Sequence, residues 1–239
     1  GLTVKNGSAI AAGGGMWIQN SNVTVRDCAF ENCWAAIDGG AVAVSDASPS
    51  ILRCSFIGNT ASNNGGGVSL SSSNATIDSC VFHGNAALTG SGGGVAATFS
   101  APQFSNCTIA YNASSPLGFG GNVYAGNGAD LALARCIISH STRGEGIYGA
   151  PAAVGASLEC CDVFANAYGN YGGSIEDQTG VNGNISADPI YCGADSSPRD
   201  LGIAAISPCA AERSPCGELI GALPVACVRG PDLVISNVV

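Results

Sequence analysis

Gly-Gly pairs begin at Gly13, Gly39, Gly65, Gly92 and Gly120, so the chain restarts every 26 to 28 residues. A degenerate further copy is centred on Gly146 and Ile147. This repetition constrains the fold more than any other feature. A unit so short cannot bury an apolar face alone, so its copies must stack. Each copy reads G-G-x-[VMI], a turn, then x-[VIFL]-x-x-C-x-[FIV]-x-x-N.

Aligning the copies gives five columns. Met16, Val42, Val68, Val95, Val123 and Ile147 share the first, and Val25, Ile51, Ile77, Phe104, Leu133 and Leu158 the second. Cys28, Cys54, Cys80, Cys107, Cys136 and Cys161 form the third. Phe30, Phe56, Phe82, Ile109, Ile138 and Val163 form the fourth, and Cys33, Asn59, Asn85, Asn112, Ser141 and Asn166 the fifth. Stacked in register, each column becomes an interior ladder with rungs ~4.8 Å apart. Glycine serves turns that need positive φ. Asparagine tolerates left-handed turns, and its amide can hydrogen-bond from rung to rung. The expected class is all-β: a parallel β-solenoid of about six rungs, each about 26 residues long.

Composition agrees. Of 239 residues, 35 are Gly and only 10% are charged, which suits closely stacked backbone better than packed helices. No window sustains a helical period with convincing caps. The formal net charge of −9 lacks the basic stripe that nucleic acid requires. The longest apolar run, Leu219 to Val228, is about half of the ~20 residues of a membrane helix. Neither a nucleic-acid partner nor a membrane span is expected.

The segments Gly39-Gly40-Ala41-Val42, Phe56 to Asn59 and Phe82 to Asn85 resemble the repeat of the chlamydial polymorphic membrane proteins. They are similar also to the wider set of secreted bacterial right-handed parallel β-helix proteins of pectate-lyase-like fold. The resemblance covers residues 2 to 171 and implies a right-handed parallel β-helix. It says little about function, because that architecture hosts lyases, hydrolases, adhesins and stalks alike. Beyond Tyr171 the period stops. Asp188-Pro189, Ser207-Pro208-Cys209 and Ile220-Gly221-Ala222 resemble the C-terminal capping stretch of such proteins. Three regions are therefore expected: a coil over 1–171, a disulfide-containing cap over 172–227, and a linker or the start of a following domain over 228–239. The opening GLTVKNG reads as a strand already in progress, so the chain is expected to be part of something longer.

Six of the 12 cysteines occupy the ladder, where cysteine acts as a small hydrophobe. Disulfides between neighbouring rungs are the alternative. Cys192, Cys209, Cys216 and Cys227 break the pattern, and two disulfides are expected among them, with Cys209–Cys216 plus Cys192–Cys227 one of three pairings. Cys160 also lies outside the ladder and could join the cap instead. An oxidising location follows, secreted or at a cell surface. No C-x2-C pair and only two histidines argue against zinc, and no metal or other cofactor is expected, with calcium entering only for a lyase.

Function on a solenoid must use outward positions. On the first face these include Trp17, Ala43, Ser69, Ala96, Tyr124 and Tyr148, whose aromatics could stack on sugars or simply cover neighbouring loops. A glycosidase needs two carboxylates roughly 5 to 9.5 Å apart. No outward column supplies two acids on neighbouring rungs. Asp38 and Asp46, with Arg53 further along, are the weak catalytic candidates. His83 and His140 stand two copies apart near Tyr111, a gap of roughly 10 Å. Three readings emerge: a structural, adhesive or glycan-contacting surface module; a polysaccharide lyase or hydrolase; and self-association into a filament or sheath through the coil ends.

Overall fold

The structure, a computed structural model, describes residues 1–193 and 200–227. Among the described residues there are 27 strands and no helix. Three parallel sheets wind around one core. The first holds seven strands, from Met16–Gln19 to Tyr171–Gly173. The second holds six, from Thr24–Arg26 to Gly155–Glu159, and the third seven, from Thr3–Lys5 to Asp162–Phe164. Four two-residue strands, Ser8–Ala9 to Ala86–Ala87, fill the corner before the Gly-Gly turns.

Every strand of the coil pairs with its counterpart one copy away. Val68 sits between Val42 and Val95, and Phe82 between Phe56 and Ile109. Val4 pairs with Phe30 before the first full copy, and Tyr171 with Ile147 after the last, so the coil has about eight turns rather than six. The bridge from Asp162 to Ile185 carries it past Tyr171, where repeat periodicity fails but strand pairing does not.

The ladders account for the core. Phe30, Phe56 and Phe82 are wholly buried and stack with ring centroids 5.3 and 4.6 Å apart. Each such pair adds about 0.5–1.5 kcal/mol beyond its buried area. The six ladder cysteines are all free thiols, buried except for the half-buried Cys28. Their sulfurs bind backbone: Cys80 donates to the carbonyl of Ile51 at 3.5 Å, and accepts the amide of Cys54 at 3.3 Å. Burial pushes the Cys107 and Cys161 thiols up from their ordinary pKa, which keeps them protonated and inert. Asn184 ends this ladder, its Oδ1 accepting the amide of Cys161 at 2.8 Å.

The asparagine ladder is fully bonded. Asn59 donates through Nδ2 to Phe30 O and Asn85 Oδ1, and Asn85 likewise to Phe56 O and Asn112 Oδ1. A buried amide left unpaired would cost about 1–3 kcal/mol, so each rung depends on the next. At Ser141, where the column lacks an amide, Asn122 reaches in from the Gly-Gly turn.

Corners use left-handed residues. Asp27, Arg53, Ser79, Asn106, Arg135 and Cys160, each preceding a ladder cysteine, have φ between 49 and 55°. One residue in this conformation turns the chain from the second sheet to the third. The Gly-Gly turn is more demanding. Gly39 has φ 67°, and a Cβ on Gly40 would lie 2.2 Å from the Gly66 carbonyl oxygen.

The Cys-rich segment does not simply plug the coil end. It folds back along the outer face of the third sheet, where Tyr191, Leu201, Ile203 and Ile220 pack on Ala110 and Ile137. The reason lies in the outward residues of that sheet: Ile137 is a large apolar side chain, Ala110 beside it is too small to shield it, and Ser139 bonds the Tyr191 hydroxyl of the covering segment. The segment adds its own three-stranded sheet of Tyr191–Gly193, Asp200–Ala204 and Val225–Cys227. Two disulfides secure it, Cys192–Cys227 and Cys160–Cys216. Cys216 therefore bonds to the coil and not to Cys209, which is a free, buried thiol. The linker expected over 228–239 lies outside the described residues.

Candidate functional site

The catalytic candidates are dispersed, each held in turn structure. Asp38 Oδ1 accepts the Asn64 amide of the next turn at 2.8 Å. Asp46 is a left-handed corner residue with φ 51°, bonded to the Ser45 hydroxyl. These two acids flank the strand Val42–Ser45, whose four residues alone span roughly 13 Å. Arg53, another corner residue, clamps Asp27 through Nε–Oδ1 at 2.7 Å and Nη2–Oδ2 at 3.0 Å. The guanidinium holds the Asp27 carboxyl below its ordinary pKa.

The aromatic candidates separate into two groups. Tyr124 and Tyr148 stack on adjacent rungs with centroids 6.2 Å apart, and Phe119 adds a third ring 4.3 Å from Tyr148. Trp17 stands four rungs from Tyr124, roughly 19 Å away. The histidines are linked through Tyr111, whose ring lies 5.7 Å from His83 and 5.0 Å, stacked, from His140. Tyr191 also contacts Tyr111 and His140, so this cluster serves the seam beneath the folded-back segment.

A further concavity lies on the second face, an open groove of about 630 Å³. Its position follows from side-chain size. Ala132 and Ala134 are the outward residues of one rung, flanked by Gln103 and Ser105 on one side and Ser157 and Glu159 on the other. The groove crosses these rungs along the coil axis, from Thr76 at one end to Asn182 at the other, and the alanines deepen its middle. The outward columns were legible in the sequence, but small residues there signal nothing until their neighbours are placed.

Beside the groove runs a polar chain. Ser105 and Asn106 donate to Asp78 Oδ1 at 2.7 and 2.8 Å, and Ser79 donates to Oδ2 at 3.0 Å. Partial burial opposes ionisation of Asp78, and these three donors outweigh it, so its carboxyl titrates below the ordinary range. Arg135 Nε donates to Asn106 Oδ1 at 2.9 Å and meets Glu218 Oε2 at 3.2 Å, tying the groove wall to the folded-back segment. Glu159 is the one ionisable residue lining the groove. Among the described residues no group of three or more His, Cys, Asp or Glu is arranged to hold a metal ion.

A family model described as a right handed beta helix region matches residues 2–114 and 54–194. No curated protein and no solved structure matches the chain. The matched spans take in all three parallel sheets and their ladders, and the chain belongs to the right-handed β-helix family.

Proposed function

We propose that this chain is a secreted or cell-surface interaction module, a rigid coil that presents the second-face groove to an extended partner. The groove carries the reading: side chains repeat along it every ~4.8 Å, a spacing suited to a polymer lying along the coil axis. The two disulfides support an oxidising compartment.

Surface retention tests it. The immobilised chain should capture intact cells or their extracted surface polymers, and Ala132→Arg, which fills the groove, should abolish capture. Retention unchanged in that variant would refute the groove as contact surface. Polysaccharides incubated with the chain, with and without calcium, should release no reducing ends or unsaturated uronates. Turnover lost on replacing Asp38 or Asp46 would establish the lyase reading instead.

One observation favours self-association as a second reading. The strand Met16–Gln19 has no partner on its outer side among the described residues, and neither charge nor proline protects that edge. Concentration-dependent light scattering, abolished by placing a charge on the outward side of that edge with Trp17→Lys, would support it, and a monomer at every concentration would dismiss it.

A further inference from the structure

We propose that the groove on the second face is a subsite for an uncharged glycan chain and discriminates against polyanions. This rests on the groove being the contact surface, as inferred above, and adds the chemical class of what binds there.

Charge complementarity carries the argument. The lining holds hydroxyls and amides, from Thr76, Gln103, Ser105, Ser157 and Asn182, and one carboxylate, Glu159. No lysine or arginine lines it. Arg135, beside the groove wall, is already engaged by Asn106 and Glu218, and Asp78 adds negative charge along the wall. A polyuronate or sulfated chain would meet like charge with nothing to neutralise it, on a protein whose formal net charge is −9. A neutral sugar meets the opposite situation. Its hydroxyls find side chains that both donate and accept, and Glu159 offers a charge-assisted acceptor. The Ala132 and Ala134 methyls give the C–H face of one ring an apolar floor between those polar rows. A purely apolar ligand would leave that polar rim unsatisfied.

The experiment is titration calorimetry on the intact chain with neutral glucan, mannan and galactan oligosaccharides, and in parallel with polygalacturonate and heparin, at low and high salt. Saturable binding to at least one neutral oligosaccharide is expected, insensitive to salt, with none to either polyanion. Glu159→Ala should weaken it about tenfold, and Ala132→Arg should abolish it, while circular dichroism stays unchanged. Tighter binding of a polyanion overturns the proposal, as does neutral-glycan binding that survives Ala132→Arg. If no neutral glycan binds but Ala132→Arg still abolishes surface capture, the ligand class is wrong and the interaction module stands. A proteinaceous captured partner would give that result. If capture also ignores Ala132→Arg, both readings fall.

Discussion

Asn122 donates through Nδ2 to Asn166 Oδ1 at 2.8 Å, bridging the rung on which Ser141 stands. It accepts from Asn112 on its other side, also at 2.8 Å, so an amide from the glycine turn completes a ladder built elsewhere by its own column. The two residues compensate each other: Asn122 fits because Ser141 is small. At the equivalent turn position a Cβ on Gly94 would already lie 3.1 Å from the Asn112 amide.

Asn122→Gly should therefore destabilise the coil by about 1–3 kcal/mol, since it strands two buried groups, the backbone and side-chain amides of Asn112. Ser141→Asn alone should also destabilise, by crowding Asn122. The double variant Asn122→Gly/Ser141→Asn restores the ladder of earlier rungs and should recover most of the loss. Urea denaturation of the three variants gives the coupling, and additive losses would show that the two sites act independently.

Adjacent Cys160 and Cys161 meet opposite fates because a corner lies between them. Cys160 has the left-handed corner conformation, φ 51°, and bonds outward to Cys216, while Cys161 points into the core. Cys160→Ser/Cys216→Ser should cost about 2–4 kcal/mol, for a link closing 56 residues of sequence. Hydrogen exchange should then rise in residues 200–227 and stay unchanged in the coil. In the wild type, alkylation after mild reduction should label Cys160, Cys216, Cys192 and Cys227. Ladder thiols other than the half-buried Cys28 should label only on unfolding.

What the sequence made legible was the interior. Cys54, Phe56 and Asn59 recur at a fixed period, and a period translates directly into register. The exterior was legible only in part. Outward columns on the first two faces are readable, but the third mixes polar and apolar residues from rung to rung, and only its Ala110 and Ile137 explain why the Cys-rich segment lies along the side. Cys160 could be seen to leave the ladder, yet its partner depends on where the chain folds back, which no repeat encodes. Asp46 and Arg53 looked like chemistry because corner residues in left-handed conformation favour no single side chain strongly. Nothing in its own column marks Asn122, because its role belongs to a neighbouring one.

The glycines divide by what a side chain would meet. Gly40 is walled by backbone, with a Cβ 2.2 Å from Gly66 O and 2.5 Å from the Thr60 carbonyl carbon, whereas Gly84, φ 66°, has nothing within 4 Å. Gly84→Ala should cost only its conformational strain, about 1–2 kcal/mol. Gly40→Ala must move two rungs apart and should cost about 3 kcal/mol or more. Comparable melting temperatures for the two variants would contradict the packing described here.

Asp162 makes the seam between coil and folded-back segment sensitive to pH. It is wholly buried, its Oδ1 accepts the Ala187 amide at 3.0 Å, and its Oδ2 lies 3.3 Å from the Cys209 sulfur. Burial is the main cause of a carboxyl pKa raised to about 7, with the nearby Asp188 charge adding to it and the bonds to Ala187 and Cys209 only partly offsetting it. The folded chain thus holds this proton more tightly than the unfolded chain, whose aspartate titrates near 3.9. The resulting stabilisation is fully present below about pH 4, declines as pH rises, and is gone above about pH 7, a span worth at most about 4 kcal/mol. Asp78 and Asp27, with lowered pKa values, act oppositely and only in more acid solution. Denaturation midpoints should fall from pH 4 to 7 in the wild type. Asp162→Asn, uncharged at every pH, should flatten that decline and be the more stable chain at pH 8. A wild-type profile flat between pH 4 and 7 would mean that water reaches the carboxylate, and that the seam is looser than its packing indicates.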